Sequence, residues 1–397
     1  MTATPQIVLR PKKDESIKRF HPWVFSGAVA QKPANLREGD VVRVVAHEGG
    51  FLGVGHYQIG SIAVRILSFS DEGIDTDFFE KRLSAAYSLR LALGLVNPMN
   101  NTYRLVHGEG DGLPGLIIDM YGNTAVVQAH SVGMHEAKGQ LLDALRKVMP
   151  GDMLQNVYYK SEGTLPFKAD ISPEDDYLLG GKNAEAIAVE NGLKFRIDWR
   201  KGQKTGFFID QRNNRRLLES LSPNRRVLNL FSYTGGFSVY ALRGGAQSVH
   251  SVDSSAKAVM LAEENVRLNF GEEPRHAACA DDAFRFLKQA QPGAYDLIVL
   301  DPPAFAKHRE AINNALQGYK KLNLAALQKI APGGLLFTFS CSQVISREQF
   351  RLAVFSAAAI SGRNVRILHQ LTQPDDHPIN IFHPEGEYLK GLVLYVE

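Results

Sequence analysis

The sequence predicts an α/β protein whose carboxyl-terminal half is a doubly wound parallel sheet, preceded by a small β-barrel and a middle α+β segment. Three observations carry that reading. From Leu193 onward, apolar strand-like runs alternate with helical stretches, the pattern of a parallel sheet wrapped by helices. Before residue 76, short apolar alternations are separated by glycine-rich turns, the pattern of a compact barrel. The chain is 397 residues long with 44% hydrophobic residues, enough for two or three separately cored domains. The predicted boundaries are 1–75, 76–191 and 192–397.

In the first segment the strand candidates are Asp40–Ala46, Phe51–Gly55 and Ile62–Leu67. Residues 1–43 are the most basic part of this region. Eight basic residues, among them Lys12, Lys13, Lys18 and Arg19, face four acidic ones. His21-Pro22-Trp23-Val24-Phe25 adds aromatic rings beside that charge. Basic groups neutralise phosphates and aromatic faces stack on unpaired bases, so Lys12, Lys13, Lys18, Arg19 and Trp23 are candidate RNA contacts. The alternative is that Trp23 and Phe25 plug the end of the barrel.

The middle segment opens with a helix over Asp77–Leu95. Strands follow at Leu116–Asp119, Ala125–Ala129 and Gln155–Tyr159, with a helix over Met134–Met149 between the last two. The glycines of His107–Gly115 read as a tight turn needing positive φ rather than as a substrate loop.

In the last segment, strands are expected at Arg226–Leu230, Ser248–Asp253, Tyr295–Leu300 and Gly334–Phe339, with helices around Phe237–Arg243, Ala256–Phe270 and Gly318–Ile330. Its entry, residues 199–226, holds eight basic residues against two acidic ones. Lys204 and Arg212 lie there and are assigned to RNA or cofactor contact, with a helix cap at Asp210 and a solvated basic face as the alternative.

Composition excludes several classes. Basic residues exceed acidic ones by only 45 to 42. Two cysteines, Cys279 and Cys341, cannot build a disulfide framework, and twelve histidines are scattered without ligand spacing, so no metal is expected. No stretch approaches the ~18 apolar residues of a membrane span. The expectation is a cytoplasmic protein without a membrane partner.

Ligands of open parallel sheets bind beyond the carboxyl ends of the strands. The first strand here ends in Asn229-Leu-Phe-Ser-Tyr-Thr-Gly-Gly-Phe-Ser238. Gly235 and Gly236 permit a sharp turn and close backbone approach to a ligand, with Ser232 and Thr234 beside them. The next strand ends in Asp253, placed to accept hydrogen bonds from a ribose. The third leads into Asp281 and Asp282, where a carboxylate can receive an adenine amino group. A ribose and an adenine without a phosphate grip match S-adenosylmethionine. A Gly-Lys-Ser/Thr loop, which ATP would call for, is absent from the sequence.

The chemical end is read from the next two strands. Asp301-Pro302-Pro303 follows one, and Ser340-Cys341-Ser342 ends the other. Flanking serines at a strand end place Cys341 in a cleft as a nucleophile, whereas Cys279 reads as packing. A thiol is superfluous for methylating an amine or hydroxyl. It is needed for C5 of cytosine, because addition at C6 turns an unreactive ring carbon into an enamine.

These residues resemble the ribosomal RNA cytosine-C5 methyltransferase family that carries an N-terminal PUA domain, in particular the enzymes acting on large-subunit (23S) RNA. The resemblance runs nearly end to end through His21–Phe25, Glu109–Gly115, Lys204–Arg212, Asn229–Phe237, Asp301–Phe305, Phe339–Ser342, Asp376–Pro378 and Glu387–Lys390. It implies a PUA barrel for RNA docking and a class I, Rossmann-like methyltransferase sheet. It also implies that Cys341 is the nucleophile, and that Phe207, Gln211, Asp253, Asp281 and Asp301 line the cofactor and acceptor sites. Other subgroups carry a second cysteine in the fourth-strand motif. Asp301-Pro-Pro-Ala304 has none, which leaves Asp301 as the expected base for product release. Two other readings remain open: N-methylation of a base amine through Asp301-Pro302-Pro303, and a non-catalytic RNA-binding assembly factor.

Overall fold

The computed structural model describes residues 4–166, 171, 173–181, 184 and 186–397. The chain divides into two compact units. One comprises residues 1–192, 197–209 and 375–386; the other comprises 193–196, 210–374 and 387–397. The segments 197–209 and 375–386, placed by the sequence within the last domain, thus belong to the first unit.

The first unit begins with β1 (Gln6–Leu9), α1 (Glu15–Lys18), β2 (Trp23–Phe25), β3 (Val29–Gln31), β4 (Val41–Val45), β5 (Phe51–Tyr57) and β6 (Ile62–Ser68). These strands form one sheet in the order β2-β6-β5-β4-β1-β3. Alternation does the work: Ile7, Leu9, Val42, Val44, Val64 and Ile66 point to one small core. Then come α2 (Thr76–Ala92), β7 (Thr102–His107), β8 (Leu116–Tyr121), β9 (Thr124–Ala129), α3 (Val132–Glu136), α4 (Lys138–Val148), β10 (Asn156–Tyr159), β11 (Asp176–Leu179) and β12 (Ile187–Glu190). A five-stranded sheet, β11-β10-β9-β8-β7, packs under α2 and α4 in a second core. Asp75 starts α2 by accepting the Phe78 amide at 3.0 Å. The expected single helix over 134–149 is two helices that part at Ala137, and Ser131 caps the first of them.

The second unit holds β13 (Leu193–Arg196), α5 (Arg212–Ser220), β14 (Arg226–Leu230), α6 (Gly236–Arg243), β15 (Ser248–Asp253), α7 (Ala256–Phe270), β16 (His276–Ala280), α8 (Ala283–Gln289), β17 (Tyr295–Leu300), α9 (Ile312–Leu327), β18 (Ile330–Ser340), α10 (Arg347–Ser361), β19 (Val365–Leu371) and β20 (Lys390–Val396). Seven strands pair in the order β16-β15-β14-β17-β18-β20-β19. All pairs are parallel except those of β20, which runs antiparallel to both β18 and β19. Leu228, Leu230, Ile298, Leu300 and Leu336 on the central strands are fully buried, as a sheet covered on both faces requires.

The helix expected over 318–330 starts at Ile312 instead. The fold keeps Gly318 mid-helix. A Cβ there would lie 3.0 Å from the Phe305 ring, so the glycine serves close packing.

Candidate active site

Strand order reverses between β15-β14 and β14-β17, so the crevice above β14 is the switch point where such sheets bind ligands. The chain turns there through unusual backbone: φ is +57° at Phe231, +45° at Tyr233 and +77° at Gly235. Two of these are bulky residues outside their preferred region, which is costly strain of the kind held at functional sites. The surrounding bonds hold it. Asp253 Oδ2 accepts the Tyr233 amide at 2.9 Å, the Ser232 amide donates to Val252 O at 3.0 Å, and Asn265 Nδ2 donates to Thr234 O at 2.9 Å. A Cβ on Gly235 would meet Ala262 Cβ at 2.9 Å, and one on Gly236 would meet Arg215 Cδ at 3.2 Å.

Asp253 caps no helix; Ser255 caps α7, and Asp253 Oδ1 accepts the Ser255 amide at 2.9 Å. Its carboxylate is thereby oriented, and each oxygen keeps a further lone pair for a ligand hydroxyl. Asp281 lies on the neighbouring strand end, its amide donating to Asp253 O at 3.0 Å, and its side chain pairs with Arg285. Asp282 caps α8 by accepting the Arg285 amide at 2.9 Å.

At the next strand end, Gln211 Nε2 donates to Asp301 Oδ1 at 3.0 Å. Asn214 Nδ2 donates to Gln211 Oε1 at 2.6 Å, which fixes the amide so that its NH2 faces Asp301. Burial, then the nearby Asp210 charge, push the Asp301 carboxyl up to about 7. Asp210 is not the N-cap of α5; Gln211 is. Asp210 Oδ2 instead accepts the Tyr388 hydroxyl at 2.7 Å.

Parallel pairing of Leu300 with Thr338 sets the Asp301 turn beside the end of β18. Cys341 is half-buried, and its thiol lies 3.8 Å from the Pro302 carbonyl. The serines on either side point away into a fixed polar network. Ser340 Oγ donates to Tyr319 Oη at 3.0 Å, and Ser342 Oγ lies 3.1 Å from the same hydroxyl and accepts the Ala306 amide. Cys341 is therefore not sealed in hydrocarbon. Cys279 packs at the margin of the unit's core, where burial pushes its thiol up.

Residues 103–380 match the family described as S-adenosylmethionine-dependent methyltransferase, and residues 7–69 match a PUA-like domain. The chain is a member of that methyltransferase family. Its similar relatives include "Ribosomal RNA large subunit methyltransferase I" of Alteromonas mediterranea, 40% identical over 98% of both chains. The protein of the same name from Klebsiella pneumoniae strain 342 is 37% identical over 99% of this chain and 98% of its own. The methyltransferase belongs to the family that bears this name. Among solved structures, a protein of Streptococcus mutans assigned to the S-adenosylmethionine-dependent methyltransferases aligns with a TM-score of 0.83 at 22% identity, over 98% of this chain and all of that one. A methyltransferase solved with S-adenosylhomocysteine aligns at 0.84 and 23%, with the same coverage.

The methyltransferase is S-adenosylmethionine-dependent, and its switch point fits that cofactor. Ser232 Oγ is buried and has no hydrogen-bond partner among the described residues. The glycine pair leaves backbone without side chains, and Asp253 presents an oriented carboxylate. Phe207 is buried in the first unit, where its carbonyl accepts the Tyr121 hydroxyl at 3.4 Å.

The candidate RNA contacts divide. Lys12, Lys13, Arg19 and Lys204 are exposed, and Lys18 is exposed with an ion pair to Asp14 at 2.6 Å. Trp23 is half-buried; its indole N–H donates to Glu109 at 2.8 Å and its ring stands 4.3 Å from His383. Arg212 is a correction. It is 2% exposed, because the α5 face that carries Arg212 and Arg215 turns inward rather than to solvent, so it is withdrawn as an RNA contact.

Among the described residues one group has metal-ligand proximity: His21, His383 and Glu385. His21 Nδ1 accepts the Trp23 amide at 3.2 Å, which leaves the proton on Nε2, facing Glu385 at 3.4 Å. A ligating histidine donates from its second nitrogen rather than accepting there. Within the trio only His21 and Glu385 are hydrogen-bonded; neither ring nitrogen of His383 has a hydrogen-bond partner among the described residues, and its ring packs against those of His21 and Trp23. The glycine-rich turn 107–115 is likewise structural: Gly108, Gly112 and Gly115 have positive φ, and a Cβ on Gly110 would overlap Pro378 O.

Sequence reasoning missed Asn214 and Tyr319, which orient Gln211 and the serines around Cys341. It also gave no site role to Lys390, which bonds Ser342 O. Only the resemblance at Glu387–Lys390 touched that residue.

Proposed function

We propose that this methyltransferase modifies C5 of a cytosine in large-subunit ribosomal RNA through a covalent adduct with Cys341. The observation that carries the proposal is the half-buried thiol at a strand end beside Asp301, with polar neighbours and no apolar seal. The relatives' name supplies the RNA class. Bound S-adenosylmethionine supplies an electrophilic methyl group.

The thiolate of Cys341 adds to C6, a C–S bond forms, and the C5–C6 π pair moves to C5. That carbon would take the methyl group that the bound donor supplies, the electron pair of the broken C–S bond leaving with the donor's sulfur. Asp301, titrating near neutrality, accepts the C5 proton; the double bond reforms and the thiolate leaves. Gln211 orients Asp301 throughout. Asp253 and Asp281 hold the nucleoside, with Gly235, Gly236, Ser232 and Thr234 beneath it. Lys12, Lys13, Lys18, Arg19 and Lys204 supply phosphate contacts, which position RNA without reading its sequence. The cytosine reaches Cys341 from a single-stranded loop or by flipping.

The test is ribosomal RNA carrying 5-fluorocytidine. Fluorine cannot leave as a proton does, so a stable protein–RNA adduct on the Cys341 peptide is expected, and Cys341→Ala should yield neither adduct nor product. Full methyl transfer by Cys341→Ala, with N-methylated nucleoside in the digest, would replace this proposal by amine methylation through Asp301-Pro302-Pro303.

A further inference from the structure

We propose that Lys390 is a positioning residue whose ammonium keeps Cys341 as a thiolate, an inference that rests on the reading of Cys341 as nucleophile. The geometry comes from the one antiparallel strand of the sheet. In the pairing of β18 with β20, Lys390 stands opposite Ser340. Its Nζ donates to Ser342 O at 2.6 Å. The side chain therefore starts across from the residue before Cys341 and ends at the residue after it, which brings its charge within electrostatic reach of the thiol.

The ammonium lacks the usual neutraliser. Lys390 is 3% exposed, and no carboxylate lies within ion-pair distance of Nζ among the described residues. The charged groups facing it are Glu387 and Arg347, and these pair with each other, Arg347 Nε to Glu387 Oε1 at 3.2 Å. A buried, unpaired ammonium is costly, and burial pulls Lys390 down to about 8. The larger of the two opposing influences on Lys390 is Cys341, whose negative form raises it; Glu387 is the other. The coupling is mutual: a thiolate favours the ammonium, and the ammonium favours the thiolate. In the proposed step the thiol proton goes to solvent, Lys390 keeps its three protons, and the thiolate is present before the cytosine arrives.

The test needs neither RNA nor methyl donor. Alkylation of the intact protein by iodoacetamide is followed from pH 5.5 to 10, with Cys341 and Cys279 peptides quantified by mass. Wild-type Cys341 should react with an apparent pKa below that of Cys279. Lys390→Gln keeps a donor for Ser342 O and removes the charge. It should raise the Cys341 value by about one unit or more and slow its alkylation at pH 7 by about tenfold, leaving Cys279 unmoved. Lys390→Arg should restore most of the wild-type profile. A Gln variant that melts like wild type and titrates like wild type overturns the proposal. If Lys390→Gln does not fold, the Arg variant decides: a Cys341 value raised as far as that of Cys279 overturns it. A low Cys341 pKa that depends on Lys390, with no 5-fluorocytidine adduct, would leave Lys390's influence intact and remove the C5 reading instead.

Discussion

Asp301→Asn isolates the cost of holding a carboxylate at the end of β17. In the folded protein the carboxyl titrates at about 7, against an ordinary value of 3.8, because burial and Asp210 both disfavour its charged form. The folded state thus binds a proton more tightly than the unfolded chain. Stability is unaffected below pH 3.8, falls as pH rises through the window from 3.8 to about 7, and the loss is complete above it. A shift of roughly three units sets a ceiling of about 4 kcal/mol on that loss. Asn keeps the oxygen that accepts from Gln211 Nε2 and removes the charge. Allowing for the burial of the new amide, about half the ceiling, ~2 kcal/mol, should be recovered at about pH 8.5. For a unit of this size that is a rise of roughly 4–8 °C in melting temperature. Calorimetric melting of both proteins at about pH 8.5 and about pH 5 reads it, with the gain smaller at the lower pH. A variant less stable than wild type at the higher pH, or a gain that ignores pH, would refute the reasoning. The variant should be inactive, so that stability and activity move in opposite directions, as expected where an active site stores unfavourable electrostatics.

Gly235→Ala places a Cβ 2.9 Å from that of Ala262 at φ +77°; we expect a loss of roughly 1–3 kcal/mol in stability and, by calorimetric titration, loss of S-adenosylmethionine binding. Arg90→Met removes a fully buried guanidinium that pairs with Asp111 and bonds Asp376 O at 2.9 Å. Asp111 would be left as an unpaired buried charge, so denaturant melts should show a loss of about 3–5 kcal/mol in the first unit. Lys12→Ala with Lys13→Ala should weaken RNA binding uniformly across sequences and reduce the slope of log affinity against log salt by about one for each phosphate no longer neutralised; an unchanged slope removes these lysines from the RNA interface.

Local pattern carried most of the fold. The strands Arg226–Leu230, Ser248–Asp253 and Tyr295–Leu300 and the helix Ala256–Phe270 lie where their apolar runs place them. Asp253, Asp281, Asp301 and Cys341 could be named because strand ends in a parallel sheet converge on one edge. The misjudged elements had contradictory local signals. The helix expected from Gly318 starts at Ile312, and Gly318 packs against the Phe305 ring. Arg212 read as an RNA or cofactor contact, with a solvated basic face as the alternative, yet Arg212 and Arg215 are buried while Arg216 is exposed.

The amino-acid order by itself determined the classes of element, the carboxylates at the strand ends and the pair of glycines at the first turn, because each depends on residues close along the chain. The tertiary structure alone decided which polar groups act on one another. Gln211 reaches Asp301 across ninety residues, and Tyr388 reaches Asp210 across 178. Lys390 meets the Cys341 segment only because β20 enters the sheet antiparallel beside β18. The proton affinities of Asp301 and Lys390 arise from enclosure and from charges brought in by distant segments. Solvent exclusion is a property of the packed molecule, and no pattern along a chain encodes it locally.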